Sequence, residues 1–504
     1  MAEMDDKLNE LKTRMQEVGD LNSAAAVLSW DQSTYMPAGG APARGRQMAI
    51  LGRIAQEKFI DPAVGKLLDD LQPHAESLPY DDDNAALIRA TRRSYDKATK
   101  VPPAFLAEYY EHAAHAYQVW TEARPANDFK KVQPLLEKTL DMSRQLANFF
   151  PGYEHIADPL IDFADYGMKA ASVRKVFSEL REQHVPLVQT ITAQAPADDS
   201  CLKQHFPEDK QLEFGRMVIQ KFGYDFNRGR QDKTHHPFET KFSIGDVRIT
   251  TRVKENDLGE ALFSTTHESG HAMYEQGVDP SYEASPLDGG TSAGVHESQS
   301  RTWENIVSRS RPFWEHFYPE LQKTFPKQLD KVSLDTFYRA INKVQRSLIR
   351  TDADEVTYNL HVMIRFELEL QMLEGTLAIK DLPEAWHAAY KSDIGITAPS
   401  DVDGCLQDVH WFGGQIGGMF QGYTLGNILS AQFYAEALKA HPEIKKEIGQ
   451  GKFETLHTWL KDNIYRYGSK YTAPELIERV TGRGLDIAPY IQYLRAKYGE
   501  LYKL

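Results

Sequence analysis

The sequence predicts a mainly α-helical protein with one short β-hairpin. Along most of the 504 residues, apolar side chains recur at steps of three and four, the period of an amphipathic helix. Residues 238–253 instead alternate between apolar and polar side chains, as a half-buried strand does. Because no polar linker, internal repeat or low-complexity tract divides the chain, we expect a single domain over residues 1–504.

The region before the hairpin consists of predicted helices. In the first, residues 5–28, Leu8, Leu11 and Met15 fall on one face. A break rich in Pro and Gly follows at residues 36–42. Further helical patterns cover residues 43–71, 84–97, 104–123, 128–149, 171–194 and 208–222.

The predicted hairpin comes immediately before the most informative helix. Phe238, Phe242 and Ile244 alternate with polar residues, and the alternation resumes at Val247 after a Gly-Asp turn at 245–246. An exposed edge strand at this place would hold an extended peptide through main-chain hydrogen bonds. The alternative is a hairpin that only supports the following helix.

Residues 258–277 form that helix and contain an H-E-x-x-H sequence, with Gly277 as its predicted C-cap. His267 and His271 lie four residues apart, so both imidazoles share one face and can reach one metal ion. Glu268 is rotated by about 100° around the helix axis, where it can take a proton from a water on that metal and pass it to a leaving amine. The alternative is a surface helix that carries these residues by chance.

A catalytic zinc site usually has three protein ligands, so one more is needed. A loop rich in Gly, Pro and Ser, residues 279–294, lets a second helix return beside the first and bring Glu297 to the two imidazoles. Glu304, seven residues further on the same helix face, is the competing candidate. A solvent-exposed helix start is the structural alternative for Glu297. We favour Glu297 because a His₂Glu set is a known catalytic zinc arrangement.

The remainder of the chain is again helical. The glycine-rich residues 413–418 lack the G-x-G-x-x-G order of a phosphate loop, which favours close packing or close approach of a ligand as their role. Predicted helices cover residues 298–310, 333–349, 354–377, 382–391 and 423–438, and helical patterns continue to the C-terminus.

A peptidase also needs groups that bind its substrate. His410 and Tyr423 are candidates for stabilising the oxyanion that develops at the scissile carbonyl, although either residue type is more often structural. Arg350 is a candidate for binding a terminal carboxylate, with an ion pair to its acidic neighbours as the alternative. Arg248, on the polar side of the hairpin, is a second cation, and His236 is a further ligand or part of a turn.

Composition restricts the functional class. The chain has 58 basic and 72 acidic residues and a net charge of −14, which argues against nucleic acid or an anionic membrane surface as the main partner. Cys201 and Cys405 are the only cysteines, so a disulfide framework is excluded and a reducing compartment is favoured. The N-terminus lacks the features of a signal peptide and no long apolar run is present. We therefore expect a soluble cytoplasmic protein.

Several stretches together resemble the signatures of the M32 metallocarboxypeptidases, the carboxypeptidase Taq family. The resemblance covers nearly the whole chain, including Trp30-Asp31-Gln32 and Met36-Pro37 near the N-terminus. The signature stretches are HPF at 236–238, DVRIT at 246–250, HESGH at 267–271, HESQSR at 296–301, IRTDAD at 349–354 and GCLQDVHW at 404–411.

The resemblance implies a mainly helical fold with a deep active-site groove, a small antiparallel sheet beside the H-E-x-x-H helix and an N-terminal helical lid of about residues 1–100. It also implies a homodimer that removes single residues from peptides with a free C-terminal carboxylate, with broad specificity and proline disfavoured. Residues 420–423 depart from the family pattern because no proline precedes the tyrosine.

The resemblance also implies a role for each candidate residue. His267, His271 and Glu297 would bind zinc, which cobalt can replace, and Glu268 would act as general base and acid. The implied substrate-binding residues are Arg350 with Arg248 as a second possibility, His410 and Tyr423, and the HPF stretch places His236 among the signatures.

Two other functions compete with a zinc carboxypeptidase. A helical endopeptidase or aminopeptidase would have the same metal core but no clamp for a terminal carboxylate. A peptide-binding protein with a structural metal is the other, but structural zinc sites are usually closed and rich in cysteine, and this chain has two distant cysteines.

Overall fold

Helices dominate the computed structural model, which describes residues 2–504, as the sequence periodicity predicts. The helices before the sheet are α1 (Ala2–Thr34), α2 (Ala41–Phe59), α3 (Pro62–Ser77), α4 (Asp83–Lys100), α5 (Pro103–Ala123), α6 (Phe129–Asn148), α7 (Asp158–Ala164), α8 (Ala170–Thr192) and α9 (Glu208–Phe222). Those after it are α10 (Leu258–Gly277), α11 (Ala293–Arg301), α12 (Arg311–Thr324), α13 (Pro326–Leu329), α14 (Leu334–Ile341), α15 (Tyr358–Glu374), α16 (Leu382–Asp393), α17 (His410–Gly413), α18 (Gln421–Ala440), α19 (Ile444–Ile448), α20 (Glu454–Asn463), α21 (Ala473–Thr481) and α22 (Ala488–Tyr502).

A three-stranded sheet precedes α10. Its strands are β1 (Gln231–Lys233), β2 (Glu239–Ser243) and β3 (Asp246–Thr251), in the order β1-β3-β2. The antiparallel β2–β3 pair is the predicted hairpin, and β2 lies at an edge of the sheet. The sheet is mixed, because β1 pairs with β3 in the parallel sense. With three residues, β1 is too short to show the alternation by which strands are predicted.

The structure divides one predicted helical pattern, shifts a second and shortens a third. The pattern at 43–71 is two helices, because Asp61 accepts a hydrogen bond from the Ala63 amide and caps a new helix that begins with Pro62. The pattern at 298–310 begins earlier, as α11, and continues as a π-helix over Thr302–Val307. The pattern at 333–349 ends at Ile341, since backbone amides beyond it bond to tertiary partners such as Tyr502.

Close packing of α10, α11 and α18 positions the predicted metal ligands. A side chain at Gly270 would place its Cβ 2.5 Å from the Gln299 carbonyl oxygen of α11. A Cβ at Gly426 of α18 would lie 2.5 Å from Cγ of Glu297. Gly277, predicted as a C-cap, belongs to α10 itself, and a Cβ there would lie 2.6 Å from the Tyr465 ring. These helices approach one another more closely than side chains would allow.

The buried side chains form two clusters. The larger one contains residues of the helices from α5 through α22 and of the inner face of the sheet, where Val247 and Ile249 are fully buried. The smaller one joins α1, α3 and α4 to the loop after α10, through Val278 and Tyr282. The N-terminal helices therefore pack around an apolar cluster that is separate from the larger one and to which this loop contributes. Among the helices of residues 2–504, none combines the length and apolar character needed to cross a lipid bilayer.

Candidate metal centre and active site

His267 and His271 of α10 converge with Glu297 of α11. One ligand atom from each lies within 4.8 Å of the other two. The Glu297 Oε2 atom is 3.6 Å from Nε2 of His267 and 3.3 Å from Nε2 of His271. Two imidazole nitrogens and one carboxylate oxygen are the donors of a catalytic zinc site, so these residues fit such an ion. The i, i+4 spacing on one helix brings the two histidines together, as the sequence predicts.

Glu304 lies on the opposite side of His267. Its Oε2 atom accepts a hydrogen bond from Nδ1 of His267 at 2.9 Å. This bond places the proton on Nδ1 and leaves Nε2 free to face Glu297. The competing candidate for the third ligand is therefore placed as an orienting partner of the first histidine.

His271 has a comparable support that sequence reasoning missed. Its Nδ1 atom lies 2.6 Å from Nδ1 of His296, and Nε2 of His296 is 2.8 Å from Oε1 of Glu275. Lys241 of β2 donates to the other oxygen of Glu275 at 2.7 Å. The only sequence signal for this chain of contacts is the position of His296 next to Glu297.

Two of the three ligand side chains, Glu297 and His271, have the protonation states that metal binding requires. Burial works to raise the pKa of Glu297, but the charges of Arg301 and His267 outweigh it and hold the pKa well below its ordinary value. Arg301 donates from Nε to Oε1 of Glu297 at 2.7 Å and leaves Oε2 facing the imidazoles. Burial lowers the pKa of His271 to about 4, which keeps this imidazole neutral at neutral pH.

Glu268 is buried beside the triad. Burial raises the pKa of Glu268 to about 7, against the nearby charge of His267 and with the help of Glu297 and Glu304. A carboxyl group with such a pKa exchanges its proton close to neutral pH, as a general base and acid must.

A second group of charged residues surrounds Asp408. Arg350 binds this carboxylate with two bonds, from Nε at 2.8 Å and from Nη2 at 3.2 Å. Arg365 donates to it from Nε at 2.7 Å, and His410 from Nδ1 at 2.6 Å. Burial works to raise the pKa of Asp408, but the bond from His410 and the two guanidinium groups hold it well below its ordinary value. Asp408 is therefore ionised.

Arg365 is a residue that sequence reasoning missed. It lies in the middle of α15, between Ile364 and Phe366, and none of its surface is exposed. An arginine between two apolar residues within a mostly buried helix was the available signal.

The predicted substrate-binding residues of this region lie close together. The Tyr423 hydroxyl is 3.5 Å from Nε2 of His410, and the Arg350 guanidinium is 5.4 Å from the centre of the Tyr423 ring. Burial raises the pKa of Tyr423 to about 12, so its hydroxyl keeps its proton. Partial loss of hydration and the charges of Arg252, Arg350 and His410 lower the pKa of His236, which lies between β1 and β2.

Arg248 is placed elsewhere. Its guanidinium donates two bonds to Asp246, at 2.8 Å and 2.7 Å. The same group lies 4.5 Å from the centre of the Trp30 ring and 4.8 Å from that of Phe242. These contacts attach it to the end of α1, on the face of the sheet opposite to the buried Val247.

Tyr358 lies between two groups of residues. The metal-ligand group is His267, His271 and Glu297 with Arg301, and the cationic group is Arg350 and Arg365 around Asp408. Its hydroxyl accepts a bond from Nη1 of Arg350 at 3.1 Å. The guanidinium of Arg301, which holds Glu297, lies 4.9 Å from the centre of the Tyr358 ring. The Arg301 guanidinium and the Tyr358 ring thus lie between the predicted metal ligand Glu297 and the predicted carboxylate-binding Arg350.

Comparisons with known proteins give matches over nearly the whole chain. The family model for carboxypeptidase Taq (M32) metallopeptidases matches residues 10–498. The chain is 38% identical over 497 residues to thermostable carboxypeptidase 1 of Thermus thermophilus, with 97% of each protein covered. It is 35% identical over 491 residues to carboxypeptidase 1 of Bacillus subtilis, again with 97% of each covered.

Solved structures have the same fold. The M32 carboxypeptidase of Deinococcus radiodurans R1 is 51% identical, with a TM-score of 0.96 over 99% of this chain and 100% of that one. The carboxypeptidase of Pyrococcus furiosus is 33% identical, with a TM-score of 0.94 over 98% and 99%. The chain is therefore a peptide hydrolase, and it belongs to the carboxypeptidase Taq (M32) metallopeptidase family.

Proposed function

We propose that the chain is a zinc-dependent carboxypeptidase that releases single amino acids from peptide C-termini with broad specificity. The observation that carries this proposal is the position of Tyr358 between the metal-ligand group and the cationic group. Arg301 lies 4.9 Å from the centre of its ring, and Arg350 lies 3.1 Å from its hydroxyl. A peptide whose last bond lies at the first group has its terminal carboxylate close to the second.

His267, His271 and Glu297 would hold the metal. When bound there, zinc, or cobalt in its place, would supply a Lewis acid that polarises the scissile carbonyl and acidifies a water. Glu268 accepts a proton from the attacking water and gives it to the leaving amino group. Its pKa of about 7 suits both transfers near neutral pH.

Arg350 binds the terminal carboxylate of the substrate. Its planar guanidinium matches a carboxylate in shape and charge. The His410 imidazole and the Tyr423 hydroxyl, 3.5 Å apart, are placed to donate to the oxyanion that develops at the scissile carbonyl. His236 and Arg248 stay predicted substrate contacts.

The N-terminal helices would act as a lid. Residues of α1, α3 and α4 pack in the smaller core, and α1 reaches the sheet where Trp30 meets Phe242 with ring centres 6.4 Å apart. A unit with its own core can move as one body on few contacts. The homodimer implied by the family resemblance and the cytoplasmic location predicted from the sequence stay predictions.

A peptide digest tests the proposed function. The metal-loaded protein is incubated with an N-blocked peptide that has a free C-terminus, and separately with the C-terminal amide, and masses are followed with and without a chelator. We expect a ladder that loses one residue at a time from the free peptide alone and that the chelator abolishes. Internal fragments from both peptides would indicate an endopeptidase instead, and no cleavage with metal bound would indicate a binding protein.

A further inference from the structure

Arg365 is a fully buried cation whose donors are all directed at protein groups. None of its surface is exposed. Nε donates to Asp408 at 2.7 Å, Nη2 to the Gln407 side-chain oxygen at 2.8 Å, and Nη1 to the His361 carbonyl oxygen at 2.8 Å. Its guanidinium also lies 4.6 Å from the centre of the Trp386 ring. Because none of its surface is exposed, Arg365 itself is not available to a substrate.

The charges around Asp408 do not balance. Two guanidinium groups, of Arg350 and Arg365, share this single carboxylate. His410 adds no negative charge, since it only donates a hydrogen bond to Asp408. The cluster therefore has an excess of at least one positive charge.

The neighbouring titratable groups do not supply the missing negative charge. Burial raises the pKa of Glu369 to about 8, so this carboxyl group is mostly protonated at neutral pH. Burial and the charges of Arg365 and Arg350 hold the pKa of His361 well below its ordinary value, so it is neutral. The hydroxyl groups of Tyr358 and Tyr390 bond to Arg350 and Arg365 as neutral partners.

An excess buried charge is unfavourable unless an opposite charge meets it. Without Arg365, Arg350 and Asp408 would form a neutral pair with two bonds, and such a pair attracts a further carboxylate only weakly. On the basis of the role proposed for Arg350, we infer that Arg365 is a positioning residue that neutralises Asp408, so that Arg350 keeps its positive charge for the terminal carboxylate of a peptide.

A series of variants with counted charges tests this inference. Arg365→Gln removes the excess charge, Arg365→Lys keeps it, and Arg365→Gln combined with Asp408→Asn restores it with Arg350 as the remaining ion. The readouts are KM and kcat for an N-blocked peptide, and the inhibition constants of a free amino acid and of its amide. Metal content and the thermal midpoint are measured for each variant as controls for folding.

We expect Arg365→Gln to weaken inhibition by the free amino acid and to raise KM by about 10- to 100-fold, with a smaller change in kcat. Inhibition by the amide should change little. The double variant should recover most of the lost affinity, and Arg365→Lys should stay within about fivefold of the unaltered protein. If Arg365 acted only through packing, adding Asp408→Asn should weaken binding of the free amino acid further.

Three results would overturn the role of Arg365: unchanged inhibition by the free amino acid in Arg365→Gln, an equal loss for acid and amide, or a double variant no better than the single one. If Arg365→Gln does not fold, a hundredfold loss in both charge-retaining variants overturns it instead. Arg350→Gln separates this inference from the proposed function. If Arg350→Gln binds the free amino acid normally, the proposed carboxylate site is wrong. If Arg350→Gln loses this binding while the Arg365 variants keep it, the carboxylate site stands and only the role inferred for Arg365 is wrong.

Discussion

Two buried carboxylates on either side of Tyr358 have different numbers of cationic partners. Glu297 bonds to one guanidinium, that of Arg301, and its other oxygen faces the imidazoles of the metal-ligand group. Asp408 bonds to two guanidinium groups and to His410, and both of its oxygens are used. The number of cationic partners thus distinguishes the two carboxylates. Glu297 has one oxygen directed at the imidazoles, where a metal can bind, whereas both oxygens of Asp408 bond to cationic groups or to His410.

The two sides also share one device. Glu304 bonds to Nδ1 of His267, and Asp408 bonds to Nδ1 of His410. In each case an ionised carboxylate fixes the imidazole and directs Nε2 away from itself. Changes on the metal side should therefore affect the chemical step or the metal, whereas changes on the cationic side should affect recognition of the substrate terminus.

The largest expected effect is on the metal side. Glu268→Gln keeps the size of the side chain but removes its ability to accept a proton, so we expect kcat to fall by about 10²- to 10⁴-fold. Bound metal, measured by elemental analysis, should be unchanged, because Glu268 is not among the three converging ligands. Normal peptide cleavage by this variant would show that Glu268 is not the general base.

On the cationic side, Arg350→Gln should lower kcat/KM by about 100-fold for peptides with a free C-terminus and should remove their advantage over C-terminal amides. Arg248→Gln is the comparison variant, because Arg248 is the second predicted cation and its guanidinium is bound to Asp246 and packed on Trp30. We expect it to keep the preference for a free carboxylate. A larger loss of this preference in Arg248→Gln than in Arg350→Gln would exchange the two assignments.

A smaller effect is expected from the partner of the first histidine. Glu304→Gln replaces the charged acceptor of His267 with a neutral one, so the imidazole becomes a weaker and less fixed ligand. We expect the affinity for zinc to fall by about 10- to 100-fold, measured by competition with a chelator of known affinity. Activity at saturating metal should fall less. Unchanged zinc affinity would mean that α10 orients His267 without this carboxylate.

The two sides differ in how far the sequence predicts them. On the metal side, a spacing of four residues on one helix fixes the relation of His267 to His271, and a single loop brings Glu297 beside them. On the cationic side, Arg350, Arg365 and Asp408 come from separate segments, and no local spacing relates them. Arg365 also lies within a mostly apolar helix, and its partner Asp408 can be identified only from the tertiary packing of α15.

The fold shows the same limit. Helix α9 at Glu208–Phe222 has a regular apolar face and is predicted to the residue, because the pattern depends on one face alone. The π-helix over Thr302–Val307 and the strand β1 depend on tertiary contacts and are absent from the sequence pattern. The residues of the cationic side are likewise brought together by tertiary packing.

Glu369 is a third buried carboxyl group, and its side-chain hydrogen-bond partner is the Trp411 indole instead of a guanidinium. Its Oε1 atom accepts a bond from Nε1 of Trp411 at 2.8 Å, and burial raises its pKa to about 8 from an ordinary 4.5. Between these two values the unfolded chain has lost the proton that the folded chain keeps. This residue therefore lowers the stability of the fold progressively as the pH rises from about 4.5 to about 8.

Glu369→Gln removes this titration while keeping a neutral side chain of the same size. We expect the variant to gain stability relative to the unaltered protein as the pH rises, by on the order of 2–4 kcal/mol between pH 5 and pH 8. Denaturant midpoints of both proteins at the two pH values measure the difference, and peptide cleavage at pH 7 serves as the control for an intact site. If the two proteins differ in stability by the same amount at both pH values, Glu369 is ionised in the folded protein. A buried carboxyl group would then be ionised without a guanidinium partner, unlike Glu297 and Asp408.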